Sequence, residues 1–350
     1  MHKTIERFTP GMVDGVAVEA YDLYGGQTHI RVITYGATLN QVWRPAGDGT
    51  VADIVLGYDH PQSYATNRGN AGATCGRHAN RLAGARFALG NRVFNLPAND
   101  GDNHLHGGPH GFGKRVWAAA PDAENNAVHF EMDSPDGDQG YPGHLKARVT
   151  YRVDDAGDLI IVMRASSDAE TIVNLVHHGY WNLAGHNSGD VLGQHLRVYA
   201  DRYTPVDATK IPLGTRVDLS GTPFDFIAAK AIGRDIAAAW PGGGYDHNLC
   251  IAGANGEMRL CAEAFDPLSG RALAISSNQP GLQFYTANHF GQFPAIGKGG
   301  VEYNRYAGFA LETQGFPNAP NVLGFPATTL RPDQTYHHEI RVHFSTLDRL

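Results

Sequence analysis

An alternating pattern of apolar and polar residues begins at Leu145 and reads LKARVTYRV through Val153. This alternation has the two-residue period of a β-strand that buries one face. The turn-forming residues DDAGD follow at 154–158, and the apolar run LIIVMR begins at Leu159. Because Asp and Gly favour tight turns, the segment predicts two antiparallel strands joined as a hairpin.

Strand patterns of the same kind recur along the chain. We predict strands at Ile30 to Tyr35, Phe87 to Leu96, Leu145 to Val153, Leu159 to Arg164, Met258 to Phe265, Leu273 to Ser276, Leu282 to Thr286 and Tyr336 to Phe344. Turn residues at Gly90-Asn91 and at 266–270 indicate two further hairpins. Helical patterns are confined to His60 to Thr66 and Phe226 to Ala239, which are too short to cover a parallel sheet. The sequence therefore predicts an all-β fold, a large antiparallel β-sandwich, as a single domain over residues 1–350.

Composition narrows the kind of ligand. The formal net charge of -7 comes without any block of like charges, which disfavours nucleic acid and anionic membranes as partners. Charged residues make up 18% of the chain, below the roughly 25% of typical soluble domains, and the 43 glycines indicate many turns. We expect a neutral or mildly polar ligand.

Three cysteines, at positions 75, 250 and 261, form an odd set without CxxC spacing. They indicate neither a disulfide framework nor a zinc site. The first residues lack the apolar run of a signal peptide, and no stretch of the chain approaches membrane-spanning length. We expect a cytoplasmic location.

Two glycine-bounded polar segments stand out in the first third of the chain: GRHANR at 76–81 and NHLHGG at 103–108. Arg77 and Arg81 are candidate donors to sugar hydroxyls, although ion pairs or surface positions explain them equally well. His104 and His106 alternate along an extended segment, so only one of them can face a given side. The pair lacks a third metal ligand, and we predict no metal site there.

Further candidates lie in the second half. His177 and His178 end an apolar run, and histidine exchanges protons near neutral pH, although most of the 18 histidines must be structural. Asp246 suits hydrogen bonds to vicinal hydroxyls, or merely orders a turn beside three glycines. Gln283 is another candidate for such hydrogen bonds. Glu312 ends an apolar strand, where a carboxylate is either exposed or deliberately partnered.

Taken in order, these segments resemble the aldose 1-epimerase (galactose mutarotase) family over nearly the whole chain. The matching motifs are GRHANR at 76–81, LHGG at 105–108, NLVHHGYWNLAG at 174–185, YDHNL at 245–249, QPGLQFYT at 279–286 and LETQ at 311–314. The resemblance implies a galactose-mutarotase β-sandwich that acts on a free monosaccharide such as glucose, galactose, xylose or arabinose, without metal or cofactor. It assigns the general acid to His178 and the general base to Glu312. It places substrate contacts at Asn80, Arg81, His106, Asp246 and Gln283, with Tyr180 beside the acid and Arg77 also matching the motif.

The chain departs from the family pattern beside the acid. His177 stands where the family often has asparagine, and Trp181 where phenylalanine is common. The extra imidazole is a second candidate for the acid, and we favour His178. The chemistry requires an ionised Glu312 and a protonated His178, a state that their mutual attraction across the sugar favours.

Three other functions use related features. A non-catalytic carbohydrate-binding β-sandwich needs the same aromatic and polar residues, and a glycosidase needs two carboxylates, for which Asp246 and Glu312 are available. A sugar-phosphate epimerase needs clustered cations, for which Arg77 and Arg81 alone make a weak case. The order of the motifs favours the aldose 1-epimerase.

Overall fold

The computed structural model describes residues 5–67, 69–292 and 296–347, and strands dominate it. The first strands are β1 (Glu6–Val13), β2 (Val16–Gly25), β3 (Thr28–Ile33), β4 (Thr38–Pro45), β5 (Val51–Asp53), β6 (Thr74–Cys75), β7 (Arg81–Leu82), β8 (Arg86–Leu89), β9 (Arg92–Asn95) and β10 (His104–Leu105). The next are β11 (Ala118–Asp122), β12 (Ala127–Ser134), β13 (Leu145–Val153), β14 (Leu159–Ser167), β15 (Thr171–Ile172), β16 (Val176–His177), β17 (Tyr180–Trp181), β18 (His195–Val198) and β19 (Ala200–Tyr203). The last are β20 (Val217–Asp218), β21 (Lys230–Ala231), β22 (Asp246–Ile251), β23 (Arg259–Phe265), β24 (Arg271–Ser277), β25 (Gly281–Tyr285), β26 (Phe309–Gln314), β27 (Thr329–Leu330) and β28 (Tyr336–Thr346).

Three antiparallel sheets build the sandwich. The largest has nine strands in the order β11-β12-β13-β14-β28-β24-β23-β18-β21, the second has six in the order β17-β26-β25-β22-β19-β20, and β1 to β5 form the third in sequence order. Apolar side chains from all three sheets, such as Ile30, Tyr151 and Phe284, pack into one buried cluster. The predicted all-β sandwich is confirmed, because each sheet buries an apolar face against the others.

The predicted hairpins are confirmed by the strand pairing. β13 runs over Leu145–Val153 as predicted and pairs with β14 across 154–158. β8 and β9 pair across Gly90-Asn91, and β23 and β24 pair across 266–270. In β13 alternate residues are buried, as the period of the sequence requires.

The helix predictions have mixed outcomes. α1 (Pro61–Thr66) confirms the first, with proline in its first turn. The second prediction is wrong over most of its length, since only α2 (Ile236–Ala239) is helical within Phe226 to Ala239. Lys230 and Ala231 instead form β21, which pairs with β18 and thereby satisfies their backbone groups. In the part of the chain that the structure describes, no helix is long and apolar enough to cross a membrane. Short 3₁₀ turns occupy Ala83–Ala85, Phe112–Lys114, Asp138–Gly140, Lys298–Gly300 and Ala319–Asn321.

The central strands of the six-stranded sheet are buried on both faces. Every residue of β25 and of β26 is buried. One face carries Leu282, Phe284 and Leu311, which belong to the apolar core. Residues of the opposite parity therefore line a second enclosed space on the other face, and these residues are mostly polar.

Candidate active site

Strand register brings the polar residues of three strands together. Gln283 of β25 lies directly opposite Glu312 of β26 and opposite Asn248 of β22, and Asp246 lies opposite Tyr285. Directly opposed residues of antiparallel strands project to the same face. The face that does not touch the core therefore carries a carboxylate on each outer strand and an amide between them.

A cavity of about 540 Å³ opens over this face, within the range of small-molecule sites. Its polar lining includes seven predicted residues: Asn80, Arg81, His106, His178, Asp246, Gln283 and Glu312. Tyr180 also lines it, donates a hydrogen bond from its hydroxyl to the carbonyl of Gly69, and places its ring 4.9 Å from that of His178.

His178 rather than its neighbour His177 faces the cavity. His178 Nε2 lies 3.6 Å from Glu312 Oε1. The His177 ring points the other way, with Nδ1 3.4 Å from the Tyr151 hydroxyl, and it is not part of the cavity lining. This difference follows from the extended backbone, which sends successive side chains to opposite faces. Of the two adjacent histidines, the geometry therefore supports His178 as the one that faces the cavity.

Burial sets the proton distribution in this pair. Burial raises the pKa of Glu312 well above its ordinary value, and the charge of Asp246 raises it further. Burial lowers the pKa of His178 to about 4. In direct contact, the raised pKa of Glu312 and the lowered pKa of His178 favour the neutral pair over the ionised pair. The expectation that attraction across a bound sugar favours the ionised pair stays a prediction. Both forms hold one proton, so a shift of that proton interconverts them.

Asp246 is held ionised by its neighbours. Its Oδ2 accepts a hydrogen bond of 2.6 Å from Lys210 Nζ, and its Oδ1 accepts one of 2.7 Å from Gln283 Nε2. Burial raises the pKa of this carboxyl, but the charges of Lys210 and Arg81 outweigh burial and leave the pKa below its ordinary value. Asp246 is thus a hydrogen-bond acceptor and not an acid.

Asn80 and His106 form the opposite wall, close to the paired strands β7 and β10. Both have positive φ angles, 61° and 52°, which L-residues rarely adopt. The backbone N–H of Asn80 points to His106 Nδ1 at 3.3 Å, so that nitrogen accepts and the neutral ring carries its proton on Nε2. Arg81 donates to Asp100 at 2.7 Å, which fixes its guanidinium at the rim.

His104 faces away from the cavity, as the alternation predicted. Its Nδ1 lies 2.7 Å from the carbonyl of Pro97 and its Nε2 2.7 Å from the Tyr141 hydroxyl. Over residues 5–67, 69–292 and 296–347, no group of three or more His, Cys, Asp or Glu side chains is arranged to hold a metal ion. The three cysteines are free and buried.

Arg77 does not lie among the residues that line the cavity, contrary to its expected substrate contact. Its guanidinium is buried, and it donates to the carbonyls of Ser134, Pro135, Pro142 and Gly143. These hydrogen bonds tie the segment at 76–81 to the loop that precedes β13. Arg77 is therefore a structural residue that anchors the segment at 76–81, which carries Asn80 and Arg81 of the cavity lining.

Several lining residues were not predicted. Tyr285 lines the cavity two residues after Gln283, so strand alternation would have found it. His289, Lys114 and Lys210 also line it. Lys210 lies in the loop between β19 and β20, in a segment with no chemical motif. Only the folded chain brings its ammonium to Asp246.

The site thus combines one acid/base pair with a polar wall inside a β-sandwich. Such a site binds a neutral polyhydroxylated ligand and moves protons between two of its oxygens. Fold and site together define the class as a carbohydrate-active enzyme without a nucleotide or metal motif in its sequence.

Comparison with known proteins identifies the family. The family model for aldose 1-epimerase matches residues 19–343. The galactose mutarotase of Rattus norvegicus is 39% identical over 331 residues, which cover 95% of each chain, and the aldose 1-epimerase of Escherichia coli (strain K12) is 35% identical over 88% of this chain and 89% of its own. The crystal structure of galactose 1-epimerase from Lactobacillus acidophilus NCFM superposes with a TM-score of 0.85 at 29% identity, covering 99% of both chains. The chain belongs to the aldose 1-epimerase family and is an enzyme of the isomerase class.

Proposed function

We propose that this protein interconverts the α and β anomers of a free aldose, with Glu312 as general base and His178 as general acid. The observation that carries the proposal is the 3.6 Å approach of His178 Nε2 to Glu312 Oε1 at the floor of a polar cavity. A sugar ring that displaces this contact meets one group at the anomeric hydroxyl and the other at the ring oxygen.

Catalysis begins from the ionised form of the pair. Glu312 removes the proton of the anomeric hydroxyl while His178 gives its proton to the ring oxygen, and the bond between C1 and that oxygen breaks to leave an aldehyde. Rotation about the C1–C2 bond presents the other carbonyl face. Reversal of both proton transfers then closes the ring to the opposite anomer, without a covalent intermediate.

Burial favours the product of the opening step. Opening leaves Glu312 protonated and His178 neutral, which is the form that desolvation favours. Proton transfer thus removes two buried charges as the ring opens, and this offsets the cost of forming the ionised pair from the neutral one.

The surrounding polar residues hold the sugar. At the sheet face, Asp246 can accept hydrogen bonds from the sugar and Gln283 can accept or donate them. Asn80, Arg81 and His106 lie on the opposite wall. None of these contacts is expected to be tight, since the open chain must rotate while bound. Since the rat relative is a galactose mutarotase, galactose is the first substrate to test, followed by glucose, xylose and arabinose.

Polarimetry on freshly dissolved pure anomers tests the proposal. Glu312→Gln and His178→Asn are each expected to lower kcat by about 10²–10⁴-fold, because each removes one proton-transfer role. Gln is a neutral isostere for a buried carboxyl, so the melting temperature should change little. His177→Asn is the matched control and should retain substantial rate, since His177 faces away from the cavity. A near-native rate in either catalytic variant contradicts the role of that residue. A loss in His177→Asn equal to that in His178→Asn would mean that His177 is the acid or shares that role.

The same assays separate the rival functions. Sugar binding without faster anomer exchange identifies a carbohydrate-binding module, and release of reducing sugar from a glycoside identifies a glycosidase. A preference for glucose 6-phosphate over glucose identifies a sugar-phosphate epimerase. One core cluster that extends from Tyr21 to Phe344 supports the proposal that residues 1–350 fold as one domain. The cytoplasmic location stays a prediction.

A further inference from the structure

Lys210 places a cation in the lining of the cavity, in contact with Asp246. Its side chain is only 16% exposed, and Nζ donates to Asp246 Oδ2 at 2.6 Å. Nζ also lies 3.3 Å from His289 Nε2, which accepts when that ring is neutral. Burial lowers the pKa of His289, which favours the neutral ring. These contacts use two of the three N–H donors of the ammonium.

The backbone at Lys210 is unfavourable for a lysine. Its φ angle is +64°, in the left-handed region that favours glycine and asparagine. The turn is held by Asp207, whose Oδ1 accepts hydrogen bonds from the backbone N–H groups of Thr209 and Ile211. Glycine would adopt this conformation with less strain, so the benefit of lysine here lies in its side chain.

Lys210 ends a hydrogen-bonded chain that crosses the cavity floor. Asp246 Oδ1 accepts from Gln283 Nε2, and Gln283 Oε1 accepts from Gln314 Nε2 at 3.2 Å. Gln314 Oε1 accepts in turn from Asn80 Nδ2 at 3.3 Å. The ionised carboxylate of Asp246 only accepts, so Gln283 presents Nε2 to it, and this sets the orientation of each amide along the chain.

The position of Lys210 is remote from the reacting atoms. Asp246 lies on β22, two strands from Glu312 on β26, and neighbouring strands are about 4.8 Å apart. The two strands are thus separated by about 10 Å. A contact at C1 alone cannot reach across that distance. A sugar with its anomeric carbon at Glu312 therefore presents a hydroxyl away from C1 to Lys210.

We propose that Lys210 is a sugar-positioning and specificity-determining residue, whose third N–H donates to one hydroxyl of the aldose remote from the anomeric carbon while its other contacts aim Asp246 into the cavity. The inference rests on the proposed function for its substrate class. It predicts that Lys210 acts on the KM of particular sugars and has little effect on kcat.

A panel of monodeoxy sugars tests this assignment. Mutarotation of the parent aldose and of its 2-, 3-, 4- and 6-deoxy analogues is measured for the wild type and for Lys210→Met. With the parent sugar, Lys210→Met should raise KM about tenfold, as loss of a hydrogen bond to a charged group does, and leave kcat within about threefold. One deoxy analogue should show no further penalty in Lys210→Met, because the donor that its missing hydroxyl meets is already gone. Lys210→Arg should recover part of the lost KM.

Lys146→Met is the matched control. Lys146 lies on β13, is exposed, and is not among the residues that line the cavity. Its loss removes the same charge and should leave every deoxy penalty in place. Equal loss for all sugars in Lys210→Met, a loss confined to kcat, or no change at all overturns the proposal.

Calorimetric binding of 1,5-anhydrohexitols separates this inference from the proposed function. These compounds lack the anomeric hydroxyl and cannot mutarotate, so their affinity reports positioning without catalysis. If the wild type binds them and Lys210→Met binds them about tenfold more weakly, the positioning role of Lys210 is supported even when no sugar is turned over. Equal affinity in both proteins overturns it, and absence of wild-type binding overturns it together with the sugar site.

Discussion

The carboxyl of Glu312 and the imidazole of His178 share one proton, and the pH range over which they hold it is set by burial. Ordinary pKa values of 4.5 and 6.5 would confine the one-proton pair to a narrow acidic range. Burial lowers the pKa of His178 to about 4 and raises that of Glu312 well above 4.5. The one-proton pair therefore persists from about pH 4 up to the raised pKa of Glu312, with apparent values that belong to the pair.

We accordingly expect kcat/KM for the preferred aldose to reach a plateau that begins near pH 4 and is wider than the ordinary pKa values of the two groups allow. At low pH the rate should fall near pH 4, where protonation of His178 gives the pair two protons. At high pH the rate should fall when the pair loses its shared proton. Rates are measured by polarimetry after subtraction of the spontaneous reaction. In Glu312→Gln the acid limb should disappear from the residual rate, because only His178 still titrates and it must be protonated to act as the acid. An optimum confined between the ordinary values of the two groups would show that burial does not control the pair.

At the residue scale, the sequence is informative where chemistry and alternation coincide. Asp246, Gln283 and Glu312 stand in motifs, and their common face follows from strand register. Arg77 stands in a motif too, yet its partners are carbonyls of the loop before β13, which no local pattern identifies. Lys210 is the opposite case, since it belongs to no motif and yet lines the cavity in the folded chain.

At the element scale, β22, β25 and β26 place the amides of the cavity floor, and Gly281 lets them approach. A Cβ at Gly281 would lie 2.3 Å from Asn248 Oδ1 and 3.0 Å from the ring of Phe316. Asn248 Oδ1 accepts a hydrogen bond from Gln314 Nε2 at 3.1 Å. Absence of a side chain at Gly281 thus keeps the floor hydrogen bonds in register.

Gly281→Ala is therefore expected to destabilise the protein by about 1–3 kcal/mol, as overpacking of a closed interior does. Its kcat/KM should also fall, because displacement of Asn248 misaligns Gln314. Urea unfolding and polarimetry measure the two effects. Gly193→Ala is the control, since a Cβ there meets no atom within 4 Å. Unchanged activity in a destabilised Gly281→Ala would mean that the floor amides do not position the sugar.

The segment from Phe226 to Ala239 shows where element prediction fails. Its alanines and isoleucines suit a helix by propensity, but Phe226 is buried against Tyr245 and Phe284. The amide of Gly233 pairs with the carbonyl of Leu192, and Lys230 joins the nine-stranded sheet. Tertiary contacts override helix propensity here, whereas in β13 the period and the packing agree.

At the scale of the whole molecule, burial lowers the pKa of nine histidines among the described residues, and for five of them the pKa falls to about 4 or about 3. Burial lowers the pKa of His78 and His177 to about 3 and that of His178, His247 and His338 to about 4. Unfolding restores their ordinary value of 6.5, so between about pH 6.5 and pH 4 the unfolded chain binds more protons and stability falls as pH falls. Glu312 acts in the opposite sense, because its raised pKa means that the folded protein binds a proton at a higher pH than the unfolded chain does.

His78, His177, His247 and His338 are each expected to remove about 1 kcal/mol of unfolding free energy between about pH 7 and pH 5.5, because each must gain a proton on unfolding. Urea unfolding at these two pH values should therefore show a loss of a few kcal/mol. His177→Asn should reduce that loss by about 1 kcal/mol, because it deletes one buried group that must charge on unfolding. His110→Asn, at an exposed position, is the control and should leave the loss unchanged. Equal acid sensitivity in wild type and His177→Asn would show that this imidazole is protonated in the folded protein, against the burial that surrounds it.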